Sequence, residues 1–297
     1  MKKIAKWIPY FKLATAVSII SLSTFSHAAT TSLWQVSKNG DSIYIGGTVH
    51  VLPPSEFPLP KGFEQAYQKS DVLMLEAQLP DANDTAAQLT MMQTLTYPAG
   101  QNLKSNLSPA VYQQLSQYFT SLGVDITMFE QFKPGLVAMM LLTFELQKSQ
   151  LQGEGVDAYF ARLAKQDSKK TLYLETLDFQ LSLFSAFGED NTDAFITSNL
   201  AQMKDFKASF LKMLNAWRSG DLSDIEYLMI TEMQQTDPQT YDVMFTKRNK
   251  DWIPKLEALF GNQEKELILV GAAHLAGKNS VLDLLKLRGY KVKQVQF

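Results

Sequence analysis

The chain has 297 residues, with 28 Lys and Arg, 30 Asp and Glu, three His and no Cys. The lack of cysteine excludes disulfides, thiolate metal ligands, cysteine nucleophiles and a lipidated cysteine behind a leader. Lys2, Lys3, Lys6 and Lys12 supply all the charge of the first 28 residues, so the remainder carries 24 basic against 30 acidic residues; that acidic balance argues against nucleic acid and anionic membrane surfaces as partners.

Those four lysines form a basic n-region, residues 13–25 an apolar h-region, and Ser26-His27-Ala28 a small-x-small cleavage site, together the pattern of a secretory signal peptide over 1–28. About 13 apolar residues are too few to span a bilayer comfortably. The expectation is a cleaved product of residues 29–297, periplasmic or secreted from a bacterium, with no stable membrane anchor. At 45% hydrophobic residues it can bury a substantial core as a single domain.

The mature part opens with a predicted hairpin, Leu33-Trp34-Gln35-Val36 and Ile43-Tyr44-Ile45 around the type I′ pair Asn39-Gly40. Its second strand runs into Gly46-Gly47-Thr48-Val49-His50 and a proline-rich loop, from which Pro60 opens a short helix over 60–69. Asp71-Val72-Leu73-Met74-Leu75 reads as a buried strand ending at Glu76. Helical segments follow over about 85–165, with Ser108-Pro109 as N-cap and N1 of a helix that stops near Gly123. Pro134-Gly135 precedes an apolar helix, and 155–165 forms another. Thr171-Leu172-Tyr173-Leu174 is a second short strand, ending at Glu175. The pattern is again helical over about 190–255, broken at Ser219-Gly220-Asp221. Strand Leu267-Ile268-Leu269-Val270, the frame Gly271-Ala272-Ala273-His274, a helix over 279–287 and a strand over 291–296 close the chain. The alternation predicts an α/β (α+β) fold, a central mixed sheet flanked by helices with a helical middle.

Only His50 and His274 remain after the leader, and each sits in a Gly-x-x-His frame behind an apolar strand. The order strand–His50, strand–Glu76, strand–Glu175, strand–His274 would place four polar groups at strand C-terminal ends, where open α/β sheets bind ligands. Carboxylates ending strands that are apolar on both faces lose solvation unless paired or bound to a cation. Two His and two Glu are N/O donors suited to a divalent ion such as Zn²⁺, Mn²⁺, Co²⁺ or Fe²⁺, and either glutamate could instead act as general base. Glycine before each histidine permits a sharp turn and close ligand approach. Arg248, on a helix upstream of the last histidine, could neutralise a carboxylate or an oxyanion. Asp157 reads as a helix N-terminal residue. The methionines read mainly as core filler, with a flexible substrate groove as the alternative. No Gly-x-Ser-x-Gly, His-Glu-x-x-His, P-loop or GxGxxG frame appears.

The paired Gly-x-x-His frames, above all Ile45-Gly46-Gly47-Thr48-Val49-His50, resemble the TraB/PrgY/GumN family, which includes the Tiki metal-dependent proteases. The similarity runs from Leu33 to Phe297, with the family's glutamates at Glu76 and Glu175, its Arg-Asn pair at Arg248-Asn249 and its second frame at Gly271 and His274. The resemblance implies a fold like the erythromycin esterase and ChaN proteins, and a divalent-metal peptidase. On that reading His50 and His274 bind metal, Glu76 and Glu175 ligate or act as base, and Arg248 stabilises developing charge on a peptide or other small extracytoplasmic substrate. A haem- or iron-compound-binding protein, a metal-free esterase using a His–Glu pair, and a structural envelope protein stand as alternatives.

Overall fold

The computed structural model describes residues 30–78 and 83–297; the expected leader lies outside them. Six strands form one mixed sheet: β1 (Thr30–Lys38), β2 (Asp41–Thr48), β3 (Val72–Leu75), β4 (Lys170–Tyr173), β5 (Glu266–Gly271) and β6 (Lys291–Gln296), in the order β4-β3-β5-β2-β1-β6. The hairpin forms as its turn chemistry requires, with Asn39 at φ 52° and Gly40 at φ 85°, both positive as a type I′ turn demands. β1 is antiparallel to β2 and β6, whereas β2, β5, β3 and β4 run parallel. Four consecutive strand ends therefore open on one edge of the sheet.

β3 and β5 are apolar on both faces because both faces are covered, whereas β4, expected to be equally buried, lies at the sheet's edge with Lys170 and Tyr173 exposed. Leu73, Leu75, Leu267 and Leu269 pack on one side with the helices Lys61–Lys69, Val156–Gln166, Phe206–Ser219 and Leu222–Met229. Met74, Ile268 and Val270 face the other side and meet the helices Arg248–Glu257 and Val281–Leu287. The period-two alternation of the strand thus divides its residues between two helical layers. The helical middle builds a separate core around Phe119, Phe129, Val137, Leu141 and Ile196, so its apolar faces are spent on one another as well as on the sheet.

One contact ties this middle to the sheet edge. The Val156 N–H donates to Val49 O at 3.0 Å, and a Cβ on Gly155 would lie 2.2 Å from His50 O. Only glycine lets the start of the helix Val156–Gln166 press against the end of β2. Gly155→Ala must push the two backbones apart, and we expect a loss of about 1–3 kcal/mol, the usual range for overpacking. Urea unfolding measures it; an unchanged midpoint would show that this approach is not as close as described.

Candidate active site at the sheet edge

The Gly271 N–H ends β5 and donates to Glu76 Oε1 at 2.6 Å. Glu76 follows β3 directly, so the two neighbouring strand ends are joined by this bond. A Cβ on Gly271 would sit 3.3 Å from Glu76 Oε1, 3.7 Å from His274 Cδ2 and 4.0 Å from His50 Nε2. Three of the four expected groups therefore border the small space that the missing side chain leaves open. Neither Gly47 nor Gly271 has a positive φ, so the expected sharp turn is not their role. Gly47 lies within β2, where a Cβ would come 3.1 Å from Ala272 Cα, and its carbonyl accepts the Trp217 indole N–H at 2.7 Å. Both glycines serve close approach.

Arg248 organises the interior side. A turn of π-helix, Asp242–Lys247, runs straight into the helix that begins at Arg248; such insertions re-aim side chains and recur at functional sites. The buried guanidinium forks onto Glu175, Nε to Oε1 and Nη2 to Oε2, both at 2.8 Å. Nη2 also reaches Glu76 Oε2 at 2.8 Å, and Nη1 donates to Met244 O at 3.1 Å. The Trp252 indole N–H donates to Glu175 Oε1 at 2.9 Å. The Gln180 amide bridges the carboxylates, 3.1 Å from Glu76 Oε2 and 3.3 Å from Glu175 Oε2. Both Glu175 oxygens are thus committed to Arg248, Trp252 and Gln180. Glu175 is the counter-ion that fixes Arg248, and Glu76 is the glutamate whose Oε1 faces the histidines.

His274 is buried, with Trp252 and Phe245 against its ring at centroid distances of 4.4 and 5.0 Å. Its Nδ1 lies 2.6 Å from Asn249 Oδ1 and its Nε2 lies 3.1 Å from Arg248 Nη1. A guanidinium only donates, so Nε2 is the acceptor and Nδ1 carries the proton toward Asn249. Burial drives the ring down to about 3, against the pull of Glu76 and with Arg248 and His50 adding to it, which keeps it neutral. Burial would raise Glu76, but His274, Arg248, His50 and the Gly271 N–H outweigh it and take the carboxyl down to about 2. Arg248 is pushed down by burial and lifted further by Glu175 and Glu76, so its charge is secure.

His50 differs. Its imidazole is 66% exposed, and Nδ1 lies 3.1 Å from Asp157 Oδ1. Crowding at the rim lowers its affinity for a proton, but the hydrogen bond and charge of Asp157, with the charge of Glu76, lift it to about 9. A ring this open keeps much of its hydration, so Asp157 governs the direction of the shift. Among the described residues no three His, Asp or Glu side chains stand close enough together to hold an ion as they are: His274 Nε2 is 3.9 Å from Glu76 Oε1 and already accepts from Arg248.

The strand-end order brings His50, Glu76 and His274 to one place, with Glu175 one strand further from His50. The sequence reading gave Asp157 no role at the site, although its position behind Gly153 and Gly155 marks a helix start made for close approach. Trp252 lies four residues after Arg248 on one helix face, a spacing that could have paired them. Gln180 carries no signal that would have found it.

Arg248→Met would leave two buried carboxylates without their cation. Breaking a buried ion pair this way costs about 3–5 kcal/mol, and we expect that loss in urea unfolding of the purified protein. A loss below about 1 kcal/mol, the scale of exposed pairs, would contradict the ion cluster.

The profile of the TraB/PrgY/gumN family matches residues 32–294. The chain is 25% identical to a zebrafish protein named metalloprotease TIKI1, over 88% of this chain and 62% of that one. It is 24% identical to the uncharacterised protein YbaP of Escherichia coli K12, over 81% of this chain and 86% of that one, and 22% identical to a Nematostella vectensis protein named metalloprotease TIKI homolog, over 89% and 67%. The chain thus spans less than two thirds of the zebrafish relative. No solved structure matches it. The family match covers nearly every described residue and includes both histidine frames, so the chain belongs to the TraB/PrgY/gumN family.

Proposed function

We propose that this chain is a divalent-metal-dependent hydrolase of the bacterial envelope that cleaves peptide bonds. The observation that carries the reading is the convergence of His50 Nε2, Glu76 Oε1 and His274 around Gly271. Relatives named as metalloproteases support it at the family level. The leader pattern over 1–28 supports export, and no helix among the described residues is long and apolar enough to cross a membrane.

The donor set suits such an ion. Each imidazole is tied through Nδ1 to an oxygen, Asp157 for His50 and Asn249 for His274, the outer-shell pattern that orients metal-binding histidines. His50, lifted to about 9, would give up its proton to an ion; with both rings then neutral, Glu76, Glu175 and Asp157 against Arg248 leave two negative charges, which a divalent cation would balance. His50 Nε2, Glu76 Oε1 and His274 Nε2 would hold the ion, and the last now accepts from Arg248. When bound, it would supply Lewis-acid activation of water and of the scissile carbonyl.

The protein's own groups have separable tasks. His50 is the exposed member, the one a substrate meets first. Glu175, Trp252 and Gln180 hold the Arg248 fork rigid. Arg248 has its five N–H groups committed to Glu175, Glu76, Met244 and His274, so it contributes fixed positive charge beside the rim, where negative charge develops on a carbonyl oxygen under attack. Glu76 takes the Gly271 N–H, which keeps its Oε1 toward the histidines.

A metal-free esterase is the second reading, and one contact favours it: the Arg248 N–H on His274 Nε2 fills the lone pair that an ion would need. The two readings separate on chelation. Protein stripped of metal is assayed on a quenched peptide library and on a simple aryl ester, then reloaded with Mn²⁺, Co²⁺ or Zn²⁺. We expect peptide cleavage to vanish, to return with the ion, and to fall roughly 10²–10⁴-fold in His50→Ala and Glu76→Gln, the span typical of proton-transfer groups. Full activity after exhaustive chelation overturns the metal reading.

A further inference from the structure

The helix Val156–Gln166 begins against the loop that carries His50, through the Val156 N–H on Val49 O and the bare Cα of Gly155 beside His50 O. Asp157 is the second residue of that helix, with a side chain only 14% exposed. Its Oδ1 is sealed from solvent and makes no well-aligned hydrogen bond among the described residues, and the His50 ring nitrogen lies 3.1 Å from it. A carboxylate oxygen removed from water must recover its solvation from a partner, and here that partner is Nδ1 of the most exposed group in the site. The opposite ring nitrogen, Nε2, is the one that borders Gly271.

We propose that Asp157 is the positioning residue for His50: in the neutral ring its carboxylate takes the Nδ1–H and leaves Nε2 bare, turned toward Gly271 and Glu76. The ring is otherwise free to rotate and to carry its proton on Nε2, where it could neither accept a proton nor bind a cation. Asn249 does the same for His274 from the other side of the sheet edge, so both histidines present the same nitrogen to one space. The clasp also explains the glycines of Gly153-Glu154-Gly155, since a Cβ on Gly153 would lie 1.9 Å from Leu52 O and one on Gly155 2.2 Å from His50 O. Close backbone contact is what brings an acidic residue of the helical middle under a sheet-edge histidine.

This inference deepens the hydrolase reading and takes its purpose from it, but the protonated nitrogen can be read without turnover. The full chain has three histidines, His27, His50 and His274, so ¹⁵N-histidine labelling gives few signals, and His50→Gln assigns the one that matters. In metal-free protein, at a pH where the ring is neutral, we expect His50 to show a protonated Nδ1 and a bare Nε2. Asp157→Ala should move the proton to Nε2 while the His274 signals stay in place. In the activity assay Asp157→Ala should lower kcat by about 10–100-fold, the usual cost of losing such an outer-shell partner, with KM little changed. A wild-type His50 protonated on Nε2 overturns the proposal even if the variant does not fold, and so does a folded variant with an unaltered tautomer or kcat. Absence of any hydrolysis by the wild type would sink the hydrolase reading and leave the tautomer result standing.

Discussion

A guanidinium buried between two carboxylates is the constraint on which the rest of this sheet edge depends. Arg248 is 5% exposed in its side chain, and Glu76 and Glu175 are 13% and 6% exposed. Removed from water, none of the three could persist alone. Together they saturate one another: a fork to Glu175, a single bond to Glu76, and the Trp252 and Gln180 donors filling remaining lone pairs. Arginine suits this place because its planar donors serve two carboxylates and an imidazole at once. The same cation fixes the tautomer of His274, since a group that can only donate makes Nε2 the acceptor.

The fold's part is to bring these groups within reach. Four parallel strands end on the same edge, so residues from distant parts of the sequence arrive side by side, the arrangement that makes such edges binding sites in α/β proteins. Glu76 and Gly271 are 195 residues apart yet share a hydrogen bond because β3 and β5 are neighbours. The helical layers then seal one side. The helix from Arg248 closes the interior with Trp252 against His274, and the helix from Val156 supports His50 at the rim. The result is graded exposure, with one histidine buried and neutral and the other open and paired with an acid.

Much of this was legible in the sequence because it rests on local signals. Asn39-Gly40 named the hairpin, apolar runs closed by Glu76 and Glu175 named β3 and β4, and the two Gly-x-x-His frames named the ends of β2 and β5. What escaped depends on contacts between elements far apart in the chain. Glu175 and Glu76 end similar strands, but only the strand order β4-β3-β5-β2 tells which of them stands nearer His50 and which spends itself on Arg248. Asp157 looked like a residue that favours a helix start, which it is; its second contact, 107 positions back at His50, has no local signature. The glycines of the two frames were expected both to turn the chain and to let a ligand approach closely, and the turn is the part that fails. They instead admit neighbours, because a glycine within or ending a strand is decided by what packs beside it.

The central claim is that His50, Glu76 and His274 converge on one space above Gly271, where the proposed function puts a divalent ion. Crystals of the protein grown with Mn²⁺ and measured at the manganese absorption edge test it most directly. The account predicts one anomalous peak in contact with His50 Nε2 and Glu76 Oε1, with Arg248 still held by Glu175. Crystals that show His50 apart from Glu76, or an ion bound only elsewhere, would contradict it.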